Sequence, residues 1–203
     1  MTVFYVHGKG GSASESRHYE PLFPDSRVIG LNYRSSLPWE AGTEIRQAVQ
    51  SLKSEGDSVT LIANSIGAFF CFHAGIDRLL EKAFLISPII DMEQLILSMM
   101  KHAGITEQAL QDKSQIVLPN GETLLWRYLL FVRSQPISWH TSTEILFGRN
   151  DTMTSLETIR SFAVKTGAHL TVMENGEHWF HTEKQMQFLD RWITAGQGRK
   201  QQE

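Results

Sequence analysis

Six short apolar runs alternate with stretches of helical periodicity, and this alternation constrains the fold more than any other feature of the chain. The runs cover residues 3–6, 28–31, 59–63, 83–86, 144–147 and 170–173. They are rich in β-branched and aromatic residues and bounded by Gly, Ser, Asn or Pro, so they read as strands buried on both faces, as in a parallel sheet. Helical patterns fill most of the gaps. Residues 40–52 carry Ala41, Ile45, Ala48, Val49 and Leu52 on one stripe, and residues 66–75 follow the third strand directly. Residues 155–166 present Leu156, Ile159, Phe162 and Ala163 together, and residues 182–194 do the same with Met186, Phe188, Leu189, Trp192 and Ile193. Strand and helix in turn predict an α/β sandwich: one mostly parallel sheet of about six strands, flanked by helices.

One segment breaks the rhythm. Residues 91–140 separate the fourth and fifth strands, far more than one crossover helix needs. Helical patterns are expected at 92–100 and 106–111, a turn at Pro119-Asn120-Gly121, and then a strongly apolar stretch over 124–132.

The third strand runs into Ala63-Asn64-Ser65-Ile66-Gly67, where a helical pattern begins at once. A serine on so sharp a turn sits in a strained backbone with its Oγ raised above the end of the sheet. The flanking positions must be small because strand and helix nearly touch. Gly67 meets that need, and Ala63 stands where a second glycine is usual. The plainer reading is an Asn-Ser helix cap.

The first strand ends at His7-Gly8-Lys9-Gly10-Gly11-Ser12. Glycines there let backbone N–H groups approach a developing oxyanion. Lys9, with Gly10 as the fallback, and Ile66 are the expected donors. The run has neither the dinucleotide Gly-x-Gly-x-x-Gly spacing nor the Gly-Lys-Ser/Thr ending of a P-loop. His7 reads as a structural hydrogen-bonder of that loop.

The fifth strand ends at Gly148-Arg149-Asn150-Asp151 and the sixth at Glu174-Asn175-Gly176-Glu177-His178. Both ends fall on the rim that carries Ser65. In that order, His178 takes the Ser65 proton and Asp151 holds the imidazole tautomer. Asp151 also suits a cap for the following helix, Asp91 is an alternative acid, and His181 is the rival base. No pair among His18, His73, His102, His140 and His169 has metal-ligand spacing with an acidic partner, so no catalytic metal is expected, and no motif calls for a cofactor.

Taken together, His7-Gly8-Lys9-Gly10, Ala63-Asn64-Ser65-Ile66-Gly67, Ser87-Pro88, Gly148-Arg149-Asn150-Asp151 and Gly176-Glu177-His178-Trp179-Phe180 resemble the α/β-hydrolase superfamily over nearly the whole chain. Small single-domain bacterial members are the most similar. The resemblance implies one α/β-hydrolase domain over residues 1–203, with 91–140 as a lid, and without the two antiparallel strands that open larger relatives. Leu95, Ile96, Met99, Met100, Trp126, Tyr128, Leu130 and Phe131 would line an acyl pocket or pack the lid itself.

The chemistry expected is cleavage of a carboxylic ester or thioester through an acyl-Ser65 intermediate, with a small-molecule acyl substrate. Amide cleavage or acyl transfer on the same residues, and a binding protein that retains only the fold, remain as alternatives. A net charge of -3 without a Lys/Arg cluster speaks against nucleic acid as a partner. No apolar run is long enough to span a membrane, and the first residues lack the pattern of a signal peptide. Cys71 is the sole cysteine, which rules out an intramolecular disulfide and fits a reducing cytoplasm. Residues 194–203 are expected to be a frayed tail.

Overall fold

The computed structural model describes residues 1–199. In chain order its strands are β1 (Thr2–Val6), β2 (Arg27–Leu31), β3 (Val59–Asn64), β4 (Lys82–Ile86), β5 (Gln115–Val117), β6 (Thr123–Leu125), β7 (Thr143–Gly148) and β8 (His169–Met173). Its α-helices are α1 (Pro38–Ser54), α2 (Ile66–His73), α3 (Met92–His102), α4 (Glu107–Lys113), α5 (Trp126–Ser134), α6 (Leu156–Thr166) and α7 (Glu183–Gln197), with a 3-10 segment at Ala13–Leu22. The chain forms two compact units: Asp91–Ile137, and the rest.

The larger unit is built on a six-stranded sheet in the order β2-β1-β3-β4-β7-β8, every pairing parallel. The four inner strands are almost wholly buried. The edge strands β2 and β8 are only half-buried, unlike the expectation of burial on both faces for all six. The physical reason is their place in the order, since an edge strand has a neighbour on one side only.

Side chains alternate across the sheet. Val3, Tyr5, Ile62, Phe84, Ile86 and Leu146 form one core with Tyr19 and Phe23 of the 3-10 segment and Leu189, Trp192 and Ile193 of α7. The alternate residues, such as Phe4, Leu61, Leu85 and Ile145, are equally buried. On the helical side α1 packs on α2 and β3, and α6 on β7 and β8.

The helix ends are chemically specified. Pro38 opens α1, where its missing N–H is no loss. Ser155 caps α6 by accepting from Thr158 N at 3.0 Å, and Gly167 ends it in the left-handed region. Thr182 and Gln185 form a capping box at the start of α7.

The expected frayed tail is corrected over residues 194–199. Helix α7 continues to Gln197, and Gly196 lies against Phe84 and Glu144, where a larger residue would not fit. Lys82 Nζ donates to the carbonyls of Gly196 and Arg199. Residues 200–203 of that expectation lie outside the described residues.

The unit Asp91–Ile137 holds α3, α4, the antiparallel hairpin β5–β6 and α5. Arg133 ties three of these pieces together, donating to Glu93 at 2.6 Å and to Glu107 at 2.7 and 2.8 Å. Ile96, Met100, Leu110, Leu124 and Leu129 are buried, whereas Leu130 is exposed. The segment from Ser138 belongs to the larger unit instead. Trp139 anchors it there, with its ring 5.1 Å from Phe72 and its Nε1–H donated to Thr143 Oγ1 at 2.8 Å.

Candidate active site

Ser65 stands between β3 and α2 with φ 53° and ψ -122°, a conformation that strains any residue with a Cβ. Such strain costs roughly 1–3 kcal/mol. The helix that follows offsets it: Phe69, Phe70 and Phe72 are buried, and each contributes on the order of 1.5–3 kcal/mol. The backbone is also clamped. Ser65 N donates to Ile86 O at 2.9 Å, and Ile89 N donates to Ser65 O at 3.3 Å. A Cβ at Gly67 would collide with the carbonyl oxygens of Val6 and His7, so only glycine lets α2 start this close to β1. Ala63 is fully buried, and its methyl is tolerated beside β1 and β4.

Between the clamping residues sits Ser87, fully buried, with φ 44°. It turns the chain so that Ile86 and Ile89 reach Ser65 from two directions. Sequence reasoning gave Ser87-Pro88 only as part of a family pattern, and nothing local in it signals this geometry.

Ser65 Oγ is 2.8 Å from Nε2 of His178, and His178 Nδ1 is 2.7 Å from Asp151 Oδ2. Asp151 is withdrawn from solvent, while His178 keeps some exposure. The other oxygen of Asp151 accepts from the N–H groups of Met153 and Thr154 at 2.7 and 3.3 Å. Asp151 therefore holds its own loop and the imidazole at once. The cap of α6 is Ser155.

The loops carrying Asp151 and His178 are held in register by backbone contact. Arg149 N donates to Met173 O and Asn150 N to Gly176 O, each at 2.9 Å. Gly148 and Gly176 touch so closely that a Cβ at Gly148 would meet Gly176 C at 2.5 Å.

The glycine loop borders the same place. A Cβ on Gly8 would lie 3.2 Å from Ser65 Cβ. Gly11 N closes a turn onto Gly8 O at 3.2 Å, and Gly10 takes φ 75°. Lys9 lies within that turn. Ile66 opens α2, so its N–H is one of the first-turn donors that no helical carbonyl satisfies. His7 braces the loop: its Nδ1 is 2.7 Å from Gly8 O, its ring stacks on Tyr33 at 4.3 Å, and Tyr33 Oη donates to His7 O at 3.0 Å.

The rivals named from the sequence are engaged elsewhere. His181 has Nδ1 2.8 Å from Trp179 O and stacks on Trp179. Asp91 caps α3 by accepting from Gln94 N at 2.9 Å. Cys71 is buried, and desolvation drives its thiol pKa far up, which keeps it protonated. Among the described residues no three His, Cys, Asp or Glu side chains are grouped to hold a metal ion, and no helix is long and apolar enough to cross a membrane.

No family model and no curated protein sequence matches the chain. Solved structures do. Est1E from Butyrivibrio proteoclasticus superposes with a TM-score of 0.76 at 12% identity, over 96% of this chain and 85% of that one. Alpha/beta hydrolase domain-containing protein 10 from mouse gives 0.67 at 17%, over 96% and 88%. An esterase of Pyrococcus furiosus gives 0.65 at 16%, over 96% and 79%. Together with the parallel six-stranded sheet and the strand-to-helix turn at Ser65, these likenesses establish that the chain has the α/β-hydrolase fold.

Proposed function

We propose that this protein is a serine hydrolase that cleaves carboxylic esters or thioesters through an acyl-Ser65 intermediate. The observation that carries the reading is the unbroken hydrogen-bonded line from Asp151 through His178 to a strained, clamped Ser65. A serine hydroxyl is a weak nucleophile unless a base removes its proton as it attacks, and His178 Nε2 is within reach to do so.

The steps follow from that line. Ser65 Oγ attacks the acyl carbonyl while its proton passes to His178 Nε2. The carbonyl oxygen becomes an oxyanion, which the N–H groups of Ile66 and Lys9 receive. The tetrahedral species collapses, the C–O or C–S bond breaks, and His178 gives its proton to the departing alkoxide or thiolate. Water then repeats the sequence on the acyl-Ser65, with His178 as base and Ser65 as leaving group, and the acid is released. Asp151 holds the Nδ1–H tautomer and stabilises the imidazolium in each half.

Two neighbours are in keeping with this chemistry. The Pyrococcus protein is described as an esterase, and Est1E was solved with ferulic acid bound; a carboxylic acid is what an esterase releases. The same reading keeps residues 91–140, inserted in the chain between β4 and β7, as the expected lid.

Ser65→Ala tests the assignment. It should abolish turnover of short p-nitrophenyl esters and labelling by a fluorophosphonate probe, and mass spectrometry of the wild-type protein should place the probe on Ser65. Labelling that persists at another residue overturns it. Faster product formation with an added alcohol or amine than with water would turn the reading to acyl transfer.

A further inference from the structure

The glycine loop, residues 8–12, is gripped at both ends by two neighbouring side chains that follow the edge strand β2. Val6 lies opposite Leu31 in the parallel register, so the chain leaves β2 beside the point where it leaves β1. At the loop's entry, Tyr33 Oη donates to the His7 carbonyl at 3.0 Å, and its ring stacks on the His7 imidazole with centroids 4.3 Å apart. At the exit, Asn32 Oδ1 accepts from the N–H of Ala13, the first residue of the 3-10 segment, at 2.7 Å. Gly30 abuts the same residue, since a Cβ there would collide with the Ala13 backbone.

The entry grip also reaches the helix behind Ser65. The Tyr33 ring meets Phe70 of α2 edge-on, with centroids 5.3 Å apart. The His7 oxygen that takes the Tyr33 hydroxyl is also the atom a Cβ on Gly67 would strike first. One carbonyl is thus held from two sides, by Tyr33 and by the start of α2, one residue past Ile66. Inside the loop the bonds are long: Gly11 N donates to Gly8 O and Ser12 N to Glu15 Oε1, each at 3.2 Å.

We propose that Tyr33 and Asn32 are positioning residues that fix where the Lys9 N–H stands relative to the Ile66 N–H. The inference rests on the proposed roles of Ser65, Ile66 and Lys9. Oxyanion donors help only when fixed before charge develops, since a donor that must move at that moment gives back what it contributes. Glycines at 8, 10 and 11 let the loop approach Ser65, but they also give it the freest backbone in the chain. Its rigidity must then come from outside, and the residues that follow β2 supply it at both ends.

The test uses Tyr33→Phe, Asn32→Ala and Asn32→Asp in the full chain. Tyr33→Phe keeps both ring contacts and removes only the donor. Asn32→Asp keeps an oxygen for Ala13 N, whereas Asn32→Ala does not. Three readouts apply: ester kinetics, affinity for a trifluoromethyl ketone that forms a tetrahedral adduct with a serine nucleophile, and amide exchange at Gly11 and Ser12. Tyr33→Phe and Asn32→Ala should each lower kcat about tenfold with KM within about twofold, and weaken the ketone in proportion, because the donors act on the developing oxyanion. Asn32→Asp should recover most of that loss. Exchange at Gly11 and Ser12 should quicken in both damaging variants, although neither amide bonds to a replaced side chain. Unchanged kcat beside a lower melting temperature, or a rise in KM alone, would overturn the proposal. Fluorophosphonate labelling away from Ser65 would instead sink the nucleophile, and the exchange rates would still decide whether residues 32 and 33 hold the loop.

Discussion

Asp151 Oδ2 stands 2.7 Å from His178 Nδ1, and the Asp151 side chain is wholly shielded from water. Its other oxygen is occupied by the N–H groups of Met153 and Thr154. This division makes Asp151→Asn a clean probe. The asparagine oxygen can go on accepting from the loop, which leaves its NH2 facing His178 and forces the imidazole into the wrong tautomer. On the proposed mechanism kcat should fall by ~10⁴, as the same exchange does in serine proteases, with little change in melting temperature. Steady-state kinetics beside a thermal melt checks both halves. A drop below tenfold would assign Asp151 to the loop alone.

Gly148→Ala addresses how the two loops are joined. The new Cβ would meet Gly176 C and Glu177 O at 2.5 Å, both backbone atoms that no rotamer change can move. Overpacking of this kind costs about 1–3 kcal/mol. Because the displaced loop carries His178, Ser65 labelling should slow by more than the loss of stability explains. Urea denaturation and labelling rates on the same sample separate the two effects.

Much of this was legible in the sequence, for identifiable reasons. The inner strands announce themselves as apolar runs because both their faces are buried. Ser65, Asp151 and His178 could be read from their places at strand ends, since a parallel sheet brings those ends to one rim. Their spacing could not: Ser65 and His178 are 113 residues apart in sequence, and only the sheet order sets their distance. The hairpin β5–β6 was invisible beyond its Pro119-Asn120-Gly121 turn, because strands of three residues are too short to show a period. The helical extension past Ile193 was missed because its Gly196 looks like a stop signal, whereas the tight fit against Phe84 selects it. The hydrogen bond that Tyr5 O–H donates to Glu15 Oε2 was hidden because Glu15 lies in a 3-10 segment with no apolar periodicity to place it.

His73 at the end of α2 should make the protein sensitive to mild acid. Burial lowers its pKa from 6.5 to about 4, and the ring rests 4.6 Å from that of Phe69. The native ring stays neutral where the unfolded chain takes up a proton. Stability is therefore unaffected above pH 6.5, falls as pH drops from 6.5 to 4, and loses nothing more through this group below that. His73→Leu should flatten the pH dependence of urea midpoints across that window, most clearly at pH 5–6, before the carboxylates titrate. Parallel curves for the two proteins would show that the imidazole ionises freely in the native state.

The buried carboxylate of Glu144 should dominate the stability of the sheet end opposite the candidate site. Its side chain is 4% exposed and faces Lys82 at 3.3 Å, Arg199 at 3.0 Å and His169 at 3.2 Å. The partners are unequal, because Lys82 is 12% exposed whereas Arg199 is 40% exposed. Glu144→Ala strands the buried ammonium of Lys82 and should destabilise by about 3–5 kcal/mol, while Arg199→Ala removes a solvated partner and should lose roughly 0–1 kcal/mol. Replacing Glu144 and Lys82 together by Met should recover most of the larger loss, since neither charge is then left unpaired. Urea unfolding of the four proteins at neutral pH orders them. If Glu144→Ala were as mild as Arg199→Ala, the carboxylate would be solvated in solution and α7 would owe its last turn to the packing of Gly196 on Phe84.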